Sequence, residues 1–162
     1  MNIIERLENV SLFNGIKNDK TALQKIAAII KIENYPANTY IIKEGESGNK
    51  MFILDRGKVR VEKSTLANDT YTVVNLTDDM NAFFGEIALM DNDVRSASVY
   101  TLTDSECYVI KKDDFDKLCE NNNNIGYYII KEIAKSLSVN LRKMTIDRAN
   151  LIHALVNNDR DG

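Results

Sequence analysis

The chain has 162 residues, a length that suits one domain and suffices to bury a core. Its 44% hydrophobic and 28% charged residues are ordinary for a globular protein, and a formal net charge of −3 with no basic face argues against nucleic acid as a direct partner. No apolar run approaches the roughly 20 residues of a membrane span, so no membrane partner is expected.

The first residues, Met1-Asn2-Ile3-Ile4-Glu5-Arg6, lack the basic-then-apolar build of a secretion signal. Cys107 and Cys119 sit in apolar or helical surroundings and read as reduced structural thiols, so a cytoplasmic location is expected. Residues 3–10 and 20–30 show helical spacing, with Asp19 placed to cap the second segment. They form a helical lead-in over residues 1–31.

From 32 to 111 the pattern changes to short strands divided by polar turns. Val59-Arg60-Val61-Glu62 alternates as a half-buried strand does, whereas Met51-Phe52-Ile53-Leu54 is apolar on both sides, as in a strand covered on both faces. Residues 71–76, 97–101 and 106–110 are further strand candidates, and such spacing predicts a small antiparallel barrel or sandwich. The expected class is mainly β with flanking helices.

Within this region Phe83-Phe84-Gly85-Glu86-Ile87-Ala88-Leu89-Met90 precedes Arg95-Ser96-Ala97-Ser98-Val99. The pair of runs sets two apolar clusters around one carboxylate and one guanidinium. Glu86-Ile87-Ala88-Leu89 can turn as a short helix opened by the flexible Gly85, and the first N–H groups of such a helix point toward an anion. Arg95 supplies a planar fork of donors suited to phosphate oxygens. Glu86 repels phosphate, so its useful partner is a hydroxyl, as a ribose offers. Together these groups describe a nucleotide pocket. On these two residues alone the alternative is a Glu86–Arg95 salt bridge on a surface loop.

This stretch resembles the phosphate-binding cassette of cyclic nucleotide-binding domains. The family pattern reads Phe-Gly-Glu, an aliphatic, Ala or Gly, Leu, a short variable loop, then Arg, a small residue and Ala; Gly85, Glu86, Ala88, Leu89, Arg95, Ser96 and Ala97 fall in register. Val94 stands where many eukaryotic members carry proline. Leu12-Phe13, Leu23 and Ile26-Ala27 resemble the helical lead-in of the family. The segment from Tyr35 to Gly48 resembles its first strand pair and glycine turn, and Met51-Phe52-Ile53-Leu54 with Gly57, Val59 and Val61 its central hairpin.

The resemblance implies one domain over 1–162: a β-jelly roll (double-stranded β-helix) at 32–111 whose cassette, 83–99, bridges two strands, with N-terminal helices and a long C-terminal helix. It implies a ligand site of Phe84, Gly85, Glu86, Ile87, Ala88, Arg95, Ser96 and Ala97. The phosphate is held by Arg95, Ser96 and the N–H groups near Ala88, and the 2′-hydroxyl by Glu86. Val74 and Leu76 are expected against the base, and Asn140 and Arg142 as lid contacts from the C-terminal helix. The implied ligand is a cyclic nucleotide, with no cofactor. The Arg95-Ser96-Ala97 order, shared with bacterial catabolite activator proteins, favours cyclic AMP; the hydroxyl of Ser96 keeps cyclic GMP as the second choice.

Residues 112–157 return to helix. Asp113 or Asp114 can cap a segment carrying Phe115 and Leu118, and the asparagine tract 121–124 reads as a helix junction. A helix over 125–156 spans roughly 45–50 Å. Ile125, Ile129 and Ile133 form a stripe able to dock on the barrel. Ile130, Ala134, Leu137, Leu141, Met144, Leu151 and Leu155 follow an a/d heptad broken by Arg148, which predicts a homodimer seam. The alternatives are a helix folded back on its own barrel or a frayed end.

No nucleophile–base pair of known spacing emerges, so the protein is not expected to be an enzyme. No metal site is expected either: Asp91-Asn92-Asp93 opens like a calcium loop without the downstream glycine and glutamate, and His153 reads as a surface residue. Two other readings stay open. One is a protein-interaction domain of this fold with an unused pocket, the other the sensor half of a longer transcription regulator.

Overall fold

A computed structural model of the chain describes residues 2–65, 67, 69–91 and 94–158, with side chains through residue 153. Helix α1 (Ile3–Asn9) opens on a capping box in which Asn2 accepts from the Ile4 N–H at 3.1 Å and Glu5 accepts from the Asn2 N–H at 3.0 Å. A 3-10 turn (Ser11–Phe13) leads to α2 (Lys20–Ile29), which Asp19 caps as expected by accepting from the Ala22 N–H at 3.0 Å.

The strands are β1 (Lys31–Tyr35), β2 (Tyr40–Ile42), β3 (Lys50–Arg56), β4 (Lys58–Ser64), β5 (Thr70–Thr77), β6 (Phe83–Phe84), β7 (Ser98–Thr101) and β8 (Ser105–Lys111). They pair antiparallel as two four-stranded sheets ordered β1-β8-β3-β6 and β2-β7-β4-β5, the expected jelly roll.

Two apolar clusters explain why β3 reads as apolar on both faces. Phe52, Leu54, Phe84, Cys107 and Val109 from the first sheet meet Ile42, Val59 and Val99 from the second. On the other face of the first sheet, Met51, Ile53, Tyr108 and Ile110 pack against Leu7, Phe13, Leu23 and Ile26 from the lead-in, and against Phe115, Leu118, Ile125, Ile129 and Ile133. A sheet sandwiched between a second sheet and a helical layer has no wet face, so alternation disappears from its central strands. Burial pushes the Cys107 thiol up to about 12, which suits an inert core cysteine, and both cysteines are free thiols.

The second sheet keeps one face toward solvent, but Glu62 departs from the alternation expected of β4. It is 4% exposed, because the Tyr40 hydroxyl donates to it at 2.7 Å and the Arg60 guanidinium donates to it at 2.8 Å. The helical end also differs in detail. Helix α3 (Lys112–Asn121) takes Asp113 and Asp114 into its first turn rather than as a cap, since β8 runs straight into it and the Lys112 N–H donates to the Asn49 carbonyl at 2.8 Å. Helix α4 (Asn123–Asn158) starts two residues earlier than expected, where the Asn122 carbonyl accepts from the Ile125 and Gly126 N–H groups at 2.9 and 3.3 Å.

Helix α4 is docked only through Ile133. Beyond it the large apolar residues Leu137, Val139, Leu141, Met144, Ile146, Leu151 and Ile152 are exposed. Leu155 lies outside the described side chains, and Asn92 and Asp93 lie outside the described residues. His153 is exposed, and among the described residues no helix is long and apolar enough to cross a membrane.

Candidate functional site

The cassette leaves the first sheet at β6 and joins the second at β7. Phe84 pairs with Phe52 on β3, and their rings stack at 5.3 Å between centroids. Gly85 then turns with φ 73°, a conformation that costs other residues strain, and a 3-10 turn follows over Glu86–Leu89. Within that turn the Ala88 N–H donates to the Gly85 carbonyl at 3.2 Å, and the Glu86 carboxylate draws on its own backbone amide.

Arg95 is fixed on both backbone and side chain. Its N–H donates to the Glu46 carbonyl and its own carbonyl accepts from the Gly45 N–H, both at 2.9 Å, while Val94 bridges to Ser47. The guanidinium crosses to the start of β3, donating from Nη2 to the Lys50 carbonyl at 2.6 Å and from Nη1 to the Gly85 carbonyl at 3.2 Å. Toward the described residues these bonds engage two of its five N–H donors. Two glycines make the room: a Cβ on Gly48 would collide with the guanidinium, and one on Gly85 would lie 2.9 Å from Nη1. The turn signal at Gly48 was legible in sequence; its service to Arg95, 47 residues away, was not.

No ion pair joins Glu86 to Arg95 among the described residues, so the surface salt-bridge alternative fails. Burial raises the Glu86 pKa, opposed by its own backbone amide and by Arg95. Burial likewise lowers the Arg95 pKa, opposed by Glu86. Each charge lies in the other's field and neither is neutralised by contact. A ligand that offers the guanidinium an anion and the carboxylate a hydroxyl satisfies both.

Phe84 and Ala88 are buried, Gly85, Glu86, Ile87, Arg95 and Ala97 half-buried, and Ser96 exposed at the same turn. Cross-strand register places the expected base contacts. Val74 faces Val61, Val61 faces Val99 and Val99 faces Ile42, one row across the inner face of the second sheet. Val74 is its exposed end at 42%, and Leu76, opposite Val59, packs on the cluster that holds Phe84 and Ile42. An apolar shelf therefore borders the cassette. Asn140 and Arg142 are not brought there: both are exposed on α4 past its docked part, and a lid would need a break that the continuous helix lacks.

These features define a ligand-binding jelly roll whose charged pair suits a phosphorylated sugar. The family profile described as "Cyclic nucleotide-binding domain" matches residues 32–122, and the chain belongs to that family. Mouse cGMP-dependent protein kinase 2 is 36% identical over 124 residues, 76% of this chain and 16% of the kinase. The Dictyostelium discoideum cAMP-dependent protein kinase regulatory subunit is 28% identical over 117 residues, 71% of this chain and 35% of that subunit. The chain thus spans a small part of these relatives. Among solved structures, Thermus thermophilus catabolite activator protein superposes with a TM-score of 0.76 at 23% identity, covering 87% of this chain and 62% of that one, a likeness of fold.

Proposed function

We propose that this chain senses cyclic AMP, acting by binding rather than catalysis, and signals through α4 as a cytoplasmic homodimer. The observation that carries the reading is the half-buried Arg95, steered by the Gly85 and Lys50 carbonyls beside the uncompensated Glu86. Arg95 and the first N–H groups of the Glu86 turn take the cyclic phosphate, with Ser96 beside them. Glu86 takes the 2′-hydroxyl, and the base lies on Val74 and Leu76. The route outward runs through the cassette turn itself. Leu89 shares a core cluster with Phe115, Leu118 and Ile125, and the Lys112 ammonium donates to the Leu89 carbonyl at 3.0 Å. The exposed heptad residues Leu137, Leu141, Met144 and Leu151 supply the dimer seam.

Cyclic GMP is the second reading, favoured by the cGMP-dependent kinases among the relatives and by the exposed hydroxyl of Ser96. A thermal-shift panel separates the two. Ligand that binds only the folded state raises its stability with the logarithm of concentration over Kd. Cyclic AMP is expected to shift the midpoint most, then cyclic GMP, then linear 5′-AMP, whose extra charge and open ring fit poorly. The reverse order of the cyclic pair makes cyclic GMP the ligand, and no shift from either at about millimolar concentration leaves an unused pocket.

A further inference from the structure

Strand β6 is two residues long, yet it delivers Gly85 and Glu86 to the site. Its pairing with β3 consists of Phe52 with Phe84 and Ile53 with Phe83, extended by the Leu54 N–H donating to the Ala82 carbonyl at 2.9 Å. So short a strand does not fix its own position; two-stranded pairing of this kind is marginal by itself. At the cassette end it is held by Arg95, which ties Gly85 to Lys50.

At the other end stands a second guanidinium, from the N-terminal helix. Arg6 on α1 is 6% exposed. Its Nε donates to Asp55 Oδ1 at 2.9 Å and Nη2 donates to the Asp55 carbonyl at 2.5 Å, at the far end of β3 from Lys50. Its Nη1 donates to the Asp78 carbonyl and to Asn81 Oδ1, both at 2.8 Å. Asn81 closes the 3-10 turn Asp78–Met80 in a left-handed conformation, φ 49°, four residues before Gly85. Asparagine tolerates that conformation, and the Arg6 bond holds its side chain in place.

We propose that Arg6 and Asn81 are positioning residues of the nucleotide site. They fix where the chain leaves the Asp78–Met80 turn, and hence where β6 presents Gly85 and Glu86. Helix α1, distant from the ligand in sequence, thereby sets the ligand's affinity. The affinity part of the proposal rests on the cyclic-nucleotide reading; the placement part does not.

The test uses the full chain and two variants of the turn. Asn81→Gly keeps the positive φ without strain and removes only the acceptor, leaving the Arg6–Asp55 pair whole. Asn81→Asp restores an acceptor. Arg6→Lys, which keeps a charge on Asp55 and loses the fork, is a third variant if it folds. Amide exchange in the absence of ligand and calorimetry with cyclic AMP are both run well below the unfolding midpoint, where a purely global loss of stability leaves the Kd of the folded state unchanged.

Asn81→Gly is expected to speed exchange at residues 83–86 relative to β8 and to weaken binding roughly 5- to 100-fold, the usual range of coupling between sites. Asn81→Asp stays close to wild type in both. The proposal is overturned if Asn81→Gly matches wild type in exchange and affinity, or if Asn81→Asp fails as badly as Asn81→Gly. A wild type that binds no cyclic nucleotide overturns the functional reading and the affinity part, and the exchange data then decide the placement part alone.

Discussion

The two arginines that flank β6 are chemically the same group in opposite states. Arg6 is buried and closed: four hydrogen bonds from its guanidinium go to Asp55, Asp78 and Asn81, and its charge is cancelled by the Asp55 carboxylate at 2.9 Å. Arg95 is half-buried and open: two neutral carbonyls steer it, and its nearest opposing charge, Glu86, stays out of contact. A guanidinium whose donors and charge are satisfied holds a fold. One held in place with charge to spare is set up for a ligand. The same contrast recurs along α4, whose Ile125, Ile129 and Ile133 are buried in the helical layer with α3 and the Ser11–Phe13 turn while Leu141 and Met144 are 67% and 64% exposed.

The sharpest way to break that comparison is to remove the closed arginine. Arg6→Met takes the 2.9 Å partner from the buried Asp55 carboxylate and leaves it the exposed Arg56 at 3.9 Å, and the expected loss of unfolding free energy is about 3–5 kcal/mol, read from the urea midpoint. Next is the open arginine. Arg95→Ala is expected to take roughly 2–5 kcal/mol from nucleotide affinity while costing far less stability than the first variant. Equal stability losses from both would erase the distinction.

The open half of α4 comes third. Replacing Leu141 and Met144 together with Lys forfeits about 1.5–3 kcal/mol of burial per side chain in the proposed seam and sets like charges across it. Sedimentation should show a wild-type dimer and a folded monomeric variant that still binds ligand. A wild type monomeric at tens of micromolar, with and without ligand, would contradict the seam.

The smallest effect concerns Glu86. Burial raises its folded pKa above the ordinary 4.5. A carboxyl raised in this way adds stability that is complete below the unfolded value and is lost as pH rises through the folded one. Wild type should therefore lose stability relative to Glu86→Gln as pH climbs above the ordinary carboxylate value of 4.5. Parallel urea curves for the two would mean that Glu86 is not desolvated.

Much of this was legible in the sequence because the residues involved act locally. Gly85 and Glu86 sit in one turn, and the strand pattern placed β5, β7 and β8 to within a residue at each end and β4 to within two. Asp19 announced its cap by its position before an apolar-periodic run. Features that depend on partners far along the chain were not legible. Arg6 finds Asp55 and Asn81 49 and 75 residues away, so its sequence neighbourhood suggests nothing but a surface helix. Glu62 is buried by Tyr40, 22 residues upstream. Asn140 and Arg142 lie on α4 beyond its buried stripe, and a helix that continues without a break leaves them exposed.

Calorimetric titration of cyclic AMP and cyclic GMP into wild type and Arg95→Ala tests the central claim most directly. The account predicts a saturable binding isotherm for wild type and a Kd raised on the order of 30- to several-thousand-fold in Arg95→Ala. Wild-type affinity in Arg95→Ala would contradict it, because the cation that the cassette is built to hold would then have no part in the binding.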